Sequence, residues 1–215
     1  MLIYSAAFEL CALADDLTAL GRDDEHLLEP RPVPFSLDNV LAGMHETLEL
    51  VAEERNVEIR LPRTTQGDRL GHPAALGRVL LNLVMNSLRG IERGFVEVRA
   101  RPLSSTRVEF AVRDSGGVVP EAVLGLLNGP ADVRALVRAP RLSGGVLGME
   151  ICRRLVSSMG SVLEVREEAD RGASLYFALE LPPVDEVGRE VVRKAEAGMP
   201  VEPKSAEHRR GPTRA

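Results

Sequence analysis

The chain has 215 residues, which suits one domain of ordinary size with additional segments at its ends. Hydrophobic residues make up 44% and charged residues 27%, as in globular proteins rather than disordered or membrane-embedded ones. The net charge of −5 and the aromatic content of 3% argue against binding to nucleic acid or anionic lipid, because such partners require basic surfaces or aromatic stacking. We therefore expect neither nucleic acid nor a membrane as a partner.

The opening segment predicts one amphipathic helix and a linker over residues 1–35. Leucines recur at helical spacing before the proline-rich stretch EPRPVPF, which no helix can cross: Leu10, Leu13, Leu17 and Leu20. Acidic residues interrupt the apolar ones and no basic region precedes them, so we expect neither a signal peptide nor a membrane span. We therefore expect the protein to be cytoplasmic. A single helix with an exposed leucine face is only marginally stable in isolation, so we expect it to pair with a second copy in a homodimer.

A helix, a strand and a second helix open the main domain. Ser36 is a suitable N-cap for a helix whose apolar face runs to Val51. Residues 62–71 have the composition of a loop or hairpin, and Pro73 suits the first turn of the next helix. Between the first helix and this loop, alternation predicts a half-buried strand that includes Val57, Ile59 and Leu61.

The second half of the domain predicts four more strands and one helix. Residues 95–100 and 108–113 alternate in polarity and are joined by a polar turn, as in an antiparallel pair. A helix is expected over Gly148–Val156, after a glycine-rich loop and before the final strands, 161–166 and 174–181. This order predicts an α+β fold with helices over one antiparallel sheet.

Three clusters of residues point to a nucleotide site. Asn82 and Asn86 share one face of the predicted helix, and Asp114 opens an Asp-x-Gly turn directly after a strand. The glycine-rich loop leads into the helix near Gly148, where backbone amides and the positive end of the helix suit phosphate groups. Each cluster is weak alone, but together and in this order they predict nucleotide binding.

The stretch Leu81–Arg89 resembles the N box of bacterial sensor histidine kinases, within the GHKL group of ATPases. The resemblance extends from about Ser36 to Leu181. It implies a Bergerat-type two-layer α/β sandwich, preceded by one helix of a dimerisation hairpin. It further implies ATP and Mg²⁺ as cofactors, with Asn86 as the metal-binding residue and with Asn82 and Arg89 supporting the polyphosphate.

Two further motifs resemble the glycine boxes of that family. In the G1 box, Asp114 corresponds to the carboxylate that accepts a hydrogen bond from adenine, and Gly116 matches the first glycine after it. In the G2 box the family glycines are matched by Gly144 and Gly148. The other family glycines are replaced by Val118 in G1 and Val146 in G2. If the backbone needs a positive φ there, each valine costs about 1 to 3 kcal/mol and weakens ATP binding; otherwise the loops adopt other shapes.

The resemblance divides the chain into three parts. Residues 1–35 are expected to form a partial dimerisation helix and its linker, and residues 36–182 a histidine-kinase-like ATP-binding domain. Residues 183–215 carry charge and proline without durable periodicity, so we expect a disordered tail.

The histidines do not supply an obvious phosphoacceptor, and we assign no catalytic residue. The opening helix contains no histidine, and His45–Glu46 falls on the first helix of the ATP-binding domain without a following proline. His72 replaces an aspartate that is common in the family before the N-box helix, so a capping or surface role is expected for it.

Three functions remain open from the sequence. The first is a histidine-kinase-like ATP-binding protein of two-component signalling, with weakened or lost ATP binding and an acceptor histidine supplied by another chain. The second is a nucleotide-free pseudokinase adaptor that binds a response regulator or a partner histidine kinase. An anti-sigma serine kinase ranks last, because that class ordinarily lacks a kinase-like helix and linker before the domain.

Overall fold

The computed structural model describes residues 31–62, 67–116, 121–127, 144–168 and 172–184, together with Leu10, Cys11, Ala14, Thr18 and Leu28. The helices with defined bounds are α1 (Leu37–Arg55), α2 (Pro73–Gly90), α3 (Glu121–Leu127) and α4 (Gly144–Ser158). The strands are β1 (Val33–Ser36), β2 (Val57–Arg60), β3 (Asp68–Gly71), β4 (Gly94–Pro102), β5 (Arg107–Asp114), β6 (Glu164–Glu168) and β7 (Gly172–Glu180). Most of the predicted dimerisation helix and nearly all of the predicted tail lie outside the described residues.

Five strands form the main sheet in the order β2-β4-β5-β7-β6. All neighbouring pairs are antiparallel except β2 and β4, which run parallel with Val57 opposite Gly94. The expectation of an entirely antiparallel sheet is therefore wrong at this edge. The reason is the connection, because the chain passes through β3 and the helix α2 between these two strands, and such a helical crossover returns the second strand in the same direction.

One hydrophobic core lies between this sheet and the helices. Phe110 of β5 and Phe177 of β7 are cross-strand neighbours, almost fully buried, with ring centroids 5.5 Å apart. The helix α2 contributes a continuous buried face that includes Leu76, Val79, Leu80, Leu83 and Val84. The two-layer α/β sandwich predicted from the sequence is confirmed.

A second, small sheet closes one end of the domain. The strands β1 and β3 pair antiparallel, with Val33 opposite Gly71. The sequence predicted a loop or hairpin over residues 62–71, whereas the last four of these residues form β3. Its partner lies in the proline-rich stretch before α1, far away along the chain, so no local pattern indicates the pairing.

The chain returns to β3 after leaving β7. Leu70 N–H donates to Pro182 O at 2.9 Å, and Val184 N–H donates to Asp68 O at 3.0 Å. The buried Arg69 joins this segment to the turn between β4 and β5. Its Nη1 donates to Ser105 O at 2.6 Å and to Leu181 O at 3.0 Å.

Both ends of α1 are fixed by polar residues. Ser36 caps the N-terminus as predicted, because its Oγ accepts a hydrogen bond from Asn39 N–H at 3.3 Å. Asn56 caps the C-terminus in the left-handed region, with φ 54°, and leads directly into β2. The helix and the edge strand are therefore joined by a single residue.

The outer face of the sheet carries ion pairs, centred on the buried Glu109. Its carboxylate accepts hydrogen bonds from Arg166 Nη2 at 2.9 Å and from Arg101 Nη2 at 3.1 Å. The hydrogen bond from Arg166 is the main reason why the pKa of Glu109 lies below its ordinary value. Arg166 also lies over the ring of Tyr176, 4.0 Å from its centroid.

Candidate nucleotide site

The flank of α2 that faces α4 carries the predicted N-box side chains. Asn82, Asn86 and Arg89 are spaced by four and three positions, so they lie along one side of the helix, where they are half-buried. Asn82 Nδ2 lies 3.5 Å from Gly148 O, at the long limit of a hydrogen bond. The fold thus places the N box directly beside the residues of the G2 box.

The first turn of α4 lies beside the side chains of Asn86 and Arg89. A Cβ placed on Gly145 would lie 3.0 Å from Asn86 Oδ1 and 3.3 Å from Arg89 Nη1, so a larger residue there would require these side chains to shift by a few tenths of an ångström. The sequence predicted that the helix begins near Gly148, but it begins one turn earlier, at Gly144. Glycines favour a loop by propensity, whereas packing of the buried Leu147 favours the turn that the structure shows.

Positive groups converge at this point. The guanidinium of Arg89 reaches the first turn of α4, and the amides of that turn carry the positive end of the helix dipole. A cation and a helix N-terminus each attract a negatively charged group. The arrangement therefore suits a phosphate group.

The Asp-x-Gly turn packs against the end of α2. Asp114 Oδ1 accepts a hydrogen bond from Gly116 N–H at 2.9 Å, as in an Asx turn. A Cβ on Gly116 would lie 2.8 Å from Ile91 Cγ2, so this glycine allows the turn to approach the residue that caps α2. The carboxylate of Asp114 has two oxygens and can accept additional hydrogen bonds.

Gly94 is a residue of this region that the sequence analysis missed. Its φ is +119°, and a Cβ on it would overlap Ser115 Oγ. Ser115 in turn fixes the turn to β4, since its N–H donates to Phe95 O at 3.0 Å and its Oγ accepts from Phe95 N–H at 3.2 Å. The only signal in the sequence is a glycine placed directly before a strand.

Of the two valines that replace glycines in the G1 and G2 boxes, the structure describes only Val146. Val146 lies in the first turn of α4, half-buried against the core. Among the described residues only Asn56 combines a side chain with a positive φ, so Val146 is not in the left-handed region. The loop has taken a helical shape there. Val118 lies outside the described residues.

Two histidines, His45 and His72, lie among the described residues. His45 is exposed on α1. His72 occupies the N-cap position of α2, but its side chain makes no capping hydrogen bond, so the capping role is wrong and the surface role stays a prediction. Pro73 follows it in the first turn, as predicted, and leaves one amide fewer to cap.

Within the described ranges, no group of three or more His, Cys, Asp or Glu side chains is arranged to hold a metal ion. Among the same residues, no helix has both the length and the apolar character needed to cross a membrane.

Residues 71–183, just over half of the chain, match the family described as Histidine kinase-, DNA gyrase B-, and HSP90-like ATPase. The chain belongs to this family. The identification made from the N, G1 and G2 boxes is confirmed, as is the fold class.

Curated relatives of this ATPase-family chain are sensor kinases. It is 30% identical over 192 residues to the sensor histidine kinase AruS of Pseudomonas aeruginosa, covering 83% of this chain and 18% of AruS. It is 27% identical over 186 residues to the signal transduction histidine-protein kinase BarA of Escherichia coli K12, covering 83% of this chain and 20% of BarA. The chain thus spans about a fifth of the length of these relatives.

Solved structures show the same fold. Full-length ShkA in complex with AMPPNP superposes with a TM-score of 0.62 at 27% identity, over 81% of this chain and 36% of that one. The mycobacterial sensor histidine kinase MprB superposes with a TM-score of 0.55 at 23% identity, over 71% of this chain and 99% of that one.

Proposed function

We propose that this domain binds Mg·ATP as part of a histidine-kinase-like protein in two-component signalling. The observation that carries the proposal is that Asn86 and Arg89 both lie beside Gly145 in the first turn of α4, so near that an added Cβ there would lie 3.0 and 3.3 Å from their side chains. Membership of the ATPase family and similarity to sensor kinases support the same class of function.

The residues of the site have distinct roles in this proposal. Arg89 and the amides of α4 bind the phosphates, while Asn82 positions the start of α4 through Gly148. The amide oxygen of Asn86 is a suitable Mg²⁺ ligand, because that ion prefers oxygen. Asp114 accepts a hydrogen bond from the adenine amino group through its carboxylate. Mg·ATP, when bound, supplies a γ-phosphoryl group whose transfer depends mainly on positioning and electrostatics.

Calorimetric titration with Mg·ATP and a non-hydrolysable analogue tests the proposal. We expect binding that Asp114→Asn abolishes and that Glu164→Gln, a carboxylate change on the edge strand β6, leaves intact. Binding that survives Asp114→Asn would contradict the assigned adenine contact.

A nucleotide-free adaptor is the second candidate, and one observation favours it. Val146 replaces a glycine of the family's G2 box, and the loop is helical at that position. Absence of both heat and thermal shift at millimolar nucleotide would reject ATP binding and support this second function.

The remaining proposals concern the whole protein. The proposed partner is a response regulator or a partner histidine kinase, and the proposed compartment is the cytoplasm. The proposed phosphoacceptor is a histidine supplied by another chain. The proposed dimer forms through the leucine face of the N-terminal helix. Charged substitutions at Leu13 and Leu17 should then halve the mass measured in solution, and an unaltered mass would contradict the dimer.

A further inference from the structure

We infer that the groove between the C-terminal half of α1 and the edge strand β2 is a docking site for a basic, extended peptide segment of a partner protein. The segment adds a strand to the main sheet beside β2. The inference is independent of nucleotide binding, because the groove uses no residue of the N, G1 or G2 box.

The first observation is the open edge of β2. This strand pairs with β4 on one side, and among the described residues no strand and no backbone hydrogen bond occupies its other side. An edge strand directs part of its N–H and C=O groups outward, where they can pair with another chain. Val57–Arg60 contains no proline, so every residue of β2 keeps its N–H. An extended peptide can therefore lengthen the sheet through main-chain hydrogen bonds.

The second observation is a groove of about 570 Å³ at this edge. Its lining combines the last turns of α1, the capping residue Asn56, the strand β2 and Gly94. Ala52 and Val57 are buried in this lining, and Ile59 is half-buried, so the groove offers apolar surface as well as a sheet edge. Side chains of an added strand that point towards α1 would pack on this surface.

The third observation is the charge of the groove, which selects the occupant. Glu49 and Glu53 are exposed on α1 and Glu58 is exposed on β2, and the lining contains neither lysine nor arginine. Glu58 is paired with Arg60 at 2.7 Å, whereas no printed ion pair within the described ranges joins Glu49 or Glu53 to a basic side chain. A lysine or arginine can lay its apolar stem along the groove while its charge reaches these carboxylates. The groove therefore favours a basic segment over an acidic one.

A second copy of this chain fits the same edge less well. Pairing of two β2 edges would bring the acidic flanks of two α1 helices together. The Glu49 and Glu53 side chains of the two copies would then repel each other, because like charges brought close together are unfavourable. A basic segment meets attraction at the same positions.

Titration of the whole chain with a short, fluorescein-labelled peptide of alternating lysine and valine tests the inference by fluorescence anisotropy at constant ionic strength. We expect this peptide to bind and to slow hydrogen exchange of the β2 amides. A peptide in which glutamate replaces lysine should not bind. A lysine–valine peptide with every backbone nitrogen methylated keeps the charge but loses the N–H donors, and it should not bind either. Equal binding of the methylated peptide would overturn strand addition.

Two double variants with the same net charge then locate the site. Glu49→Gln with Glu53→Gln should weaken binding of the lysine–valine peptide about tenfold, because two ion pairs are lost. Glu121→Gln with Glu164→Gln removes exposed carboxylates from α3 and β6 and should leave the affinity unchanged. Thermal unfolding checks that both variants fold. Equal affinities in the two variants, or no binding to the natural protein, would overturn the inference. Dimerisation that Glu49→Gln with Glu53→Gln strengthens would also overturn it, in favour of a second copy as the occupant.

Discussion

At the scale of single residues, Gly94 determines how closely the Asp114 turn approaches β4. Substitution with alanine forces a side chain onto a φ of +119° and into Ser115 Oγ. We expect Gly94→Ala to lower the free energy of unfolding by about 3 kcal/mol, from backbone strain and overpacking together. Urea denaturation measures this loss.

Gly160 provides a matched control for the backbone part of this loss. Its φ is +77°, but nothing lies within 4 Å of its Cβ position. Gly160→Ala should therefore cost only about 1 kcal/mol. Similar losses in the two variants would show that overlap with Ser115 is unimportant.

Glu109 predicts a pH-dependent contribution to stability. Its folded pKa is below the ordinary value of 4.5, chiefly because Arg166 hydrogen-bonds to the charged form. The stabilisation is therefore present above that value and is lost as pH falls through the folded pKa. We expect Glu109→Gln to cost about 2 kcal/mol at pH 7, from its buried, charged hydrogen bonds.

The difference between Glu109→Gln and the natural protein should shrink as the pH falls below 4.5 and through the lowered pKa of Glu109, because that carboxylate then becomes protonated and neutral like the glutamine. Glu58→Gln is the control, since the Glu58–Arg60 pair is exposed and water competes with it. A difference that stays constant from neutral to acid pH would contradict the role given to the Glu109 ion pairs.

The sequence identified the site residues whose chemistry is visible in the residue type: Asn82, Asn86, Arg89, Asp114, Gly116, Gly144 and Gly148. These remain predictions as nucleotide ligands, although the fold brings them around α2. The sequence did not show that Gly94 and Gly145 need to be glycines, because the side chains that limit the space around them come from distant parts of the chain. Such tertiary approaches leave no periodic signal in one sequence.

At the scale of elements, Asn56 predicts how the junction between α1 and β2 responds to substitution. Its left-handed backbone, with φ 54° and ψ 44°, turns the helix into the edge strand. Asn56→Gly should raise the free energy of unfolding by about 0.5 kcal/mol, and Asn56→Val should lower it by about 2 kcal/mol. Thermal unfolding of the two variants checks the order, and a valine variant as stable as the glycine variant would contradict it.

Elements defined by strong local patterns were predicted well, and those defined by long-range pairing were not. Ser36 and Pro73 marked the starts of α1 and α2 correctly. The parallel direction of β2 was missed because alternation reveals a strand but not its neighbour. The early start of α4 was missed because Gly144 and Gly145 indicate a loop unless the packing of Leu147 is known.

At the scale of the whole molecule, Arg69 connects three separate parts of the domain. It lies on β3 and donates to Ser105 O and Leu181 O from a buried position. Arg69→Met leaves those carbonyls without this donor, so we expect a loss of about 3 kcal/mol in the free energy of unfolding.

Calorimetry should show that Arg69→Met still unfolds in one transition at a lower temperature, because one core unites the sheets and helices. Arg107→Met is the control, since Arg107 is half-exposed and 4.0 Å from Glu180, and it should cost at most about 0.5 kcal/mol. Equal losses of unfolding free energy in the two variants would mean that the buried hydrogen bonds of Arg69 stabilise the fold no more than an exposed ion pair does.

The pairing of both β1 and the segment after β7 with β3 has a mechanical consequence. Val33 lies beside Gly71 at one end of β3, whereas Val184 hydrogen-bonds to Asp68 at the other end. A force that pulls Val33 and Val184 apart therefore acts along the strands and loads their hydrogen bonds together, in shear, rather than opening them one by one. Tension applied between Val33 and Val184 would therefore be borne by this small sheet first.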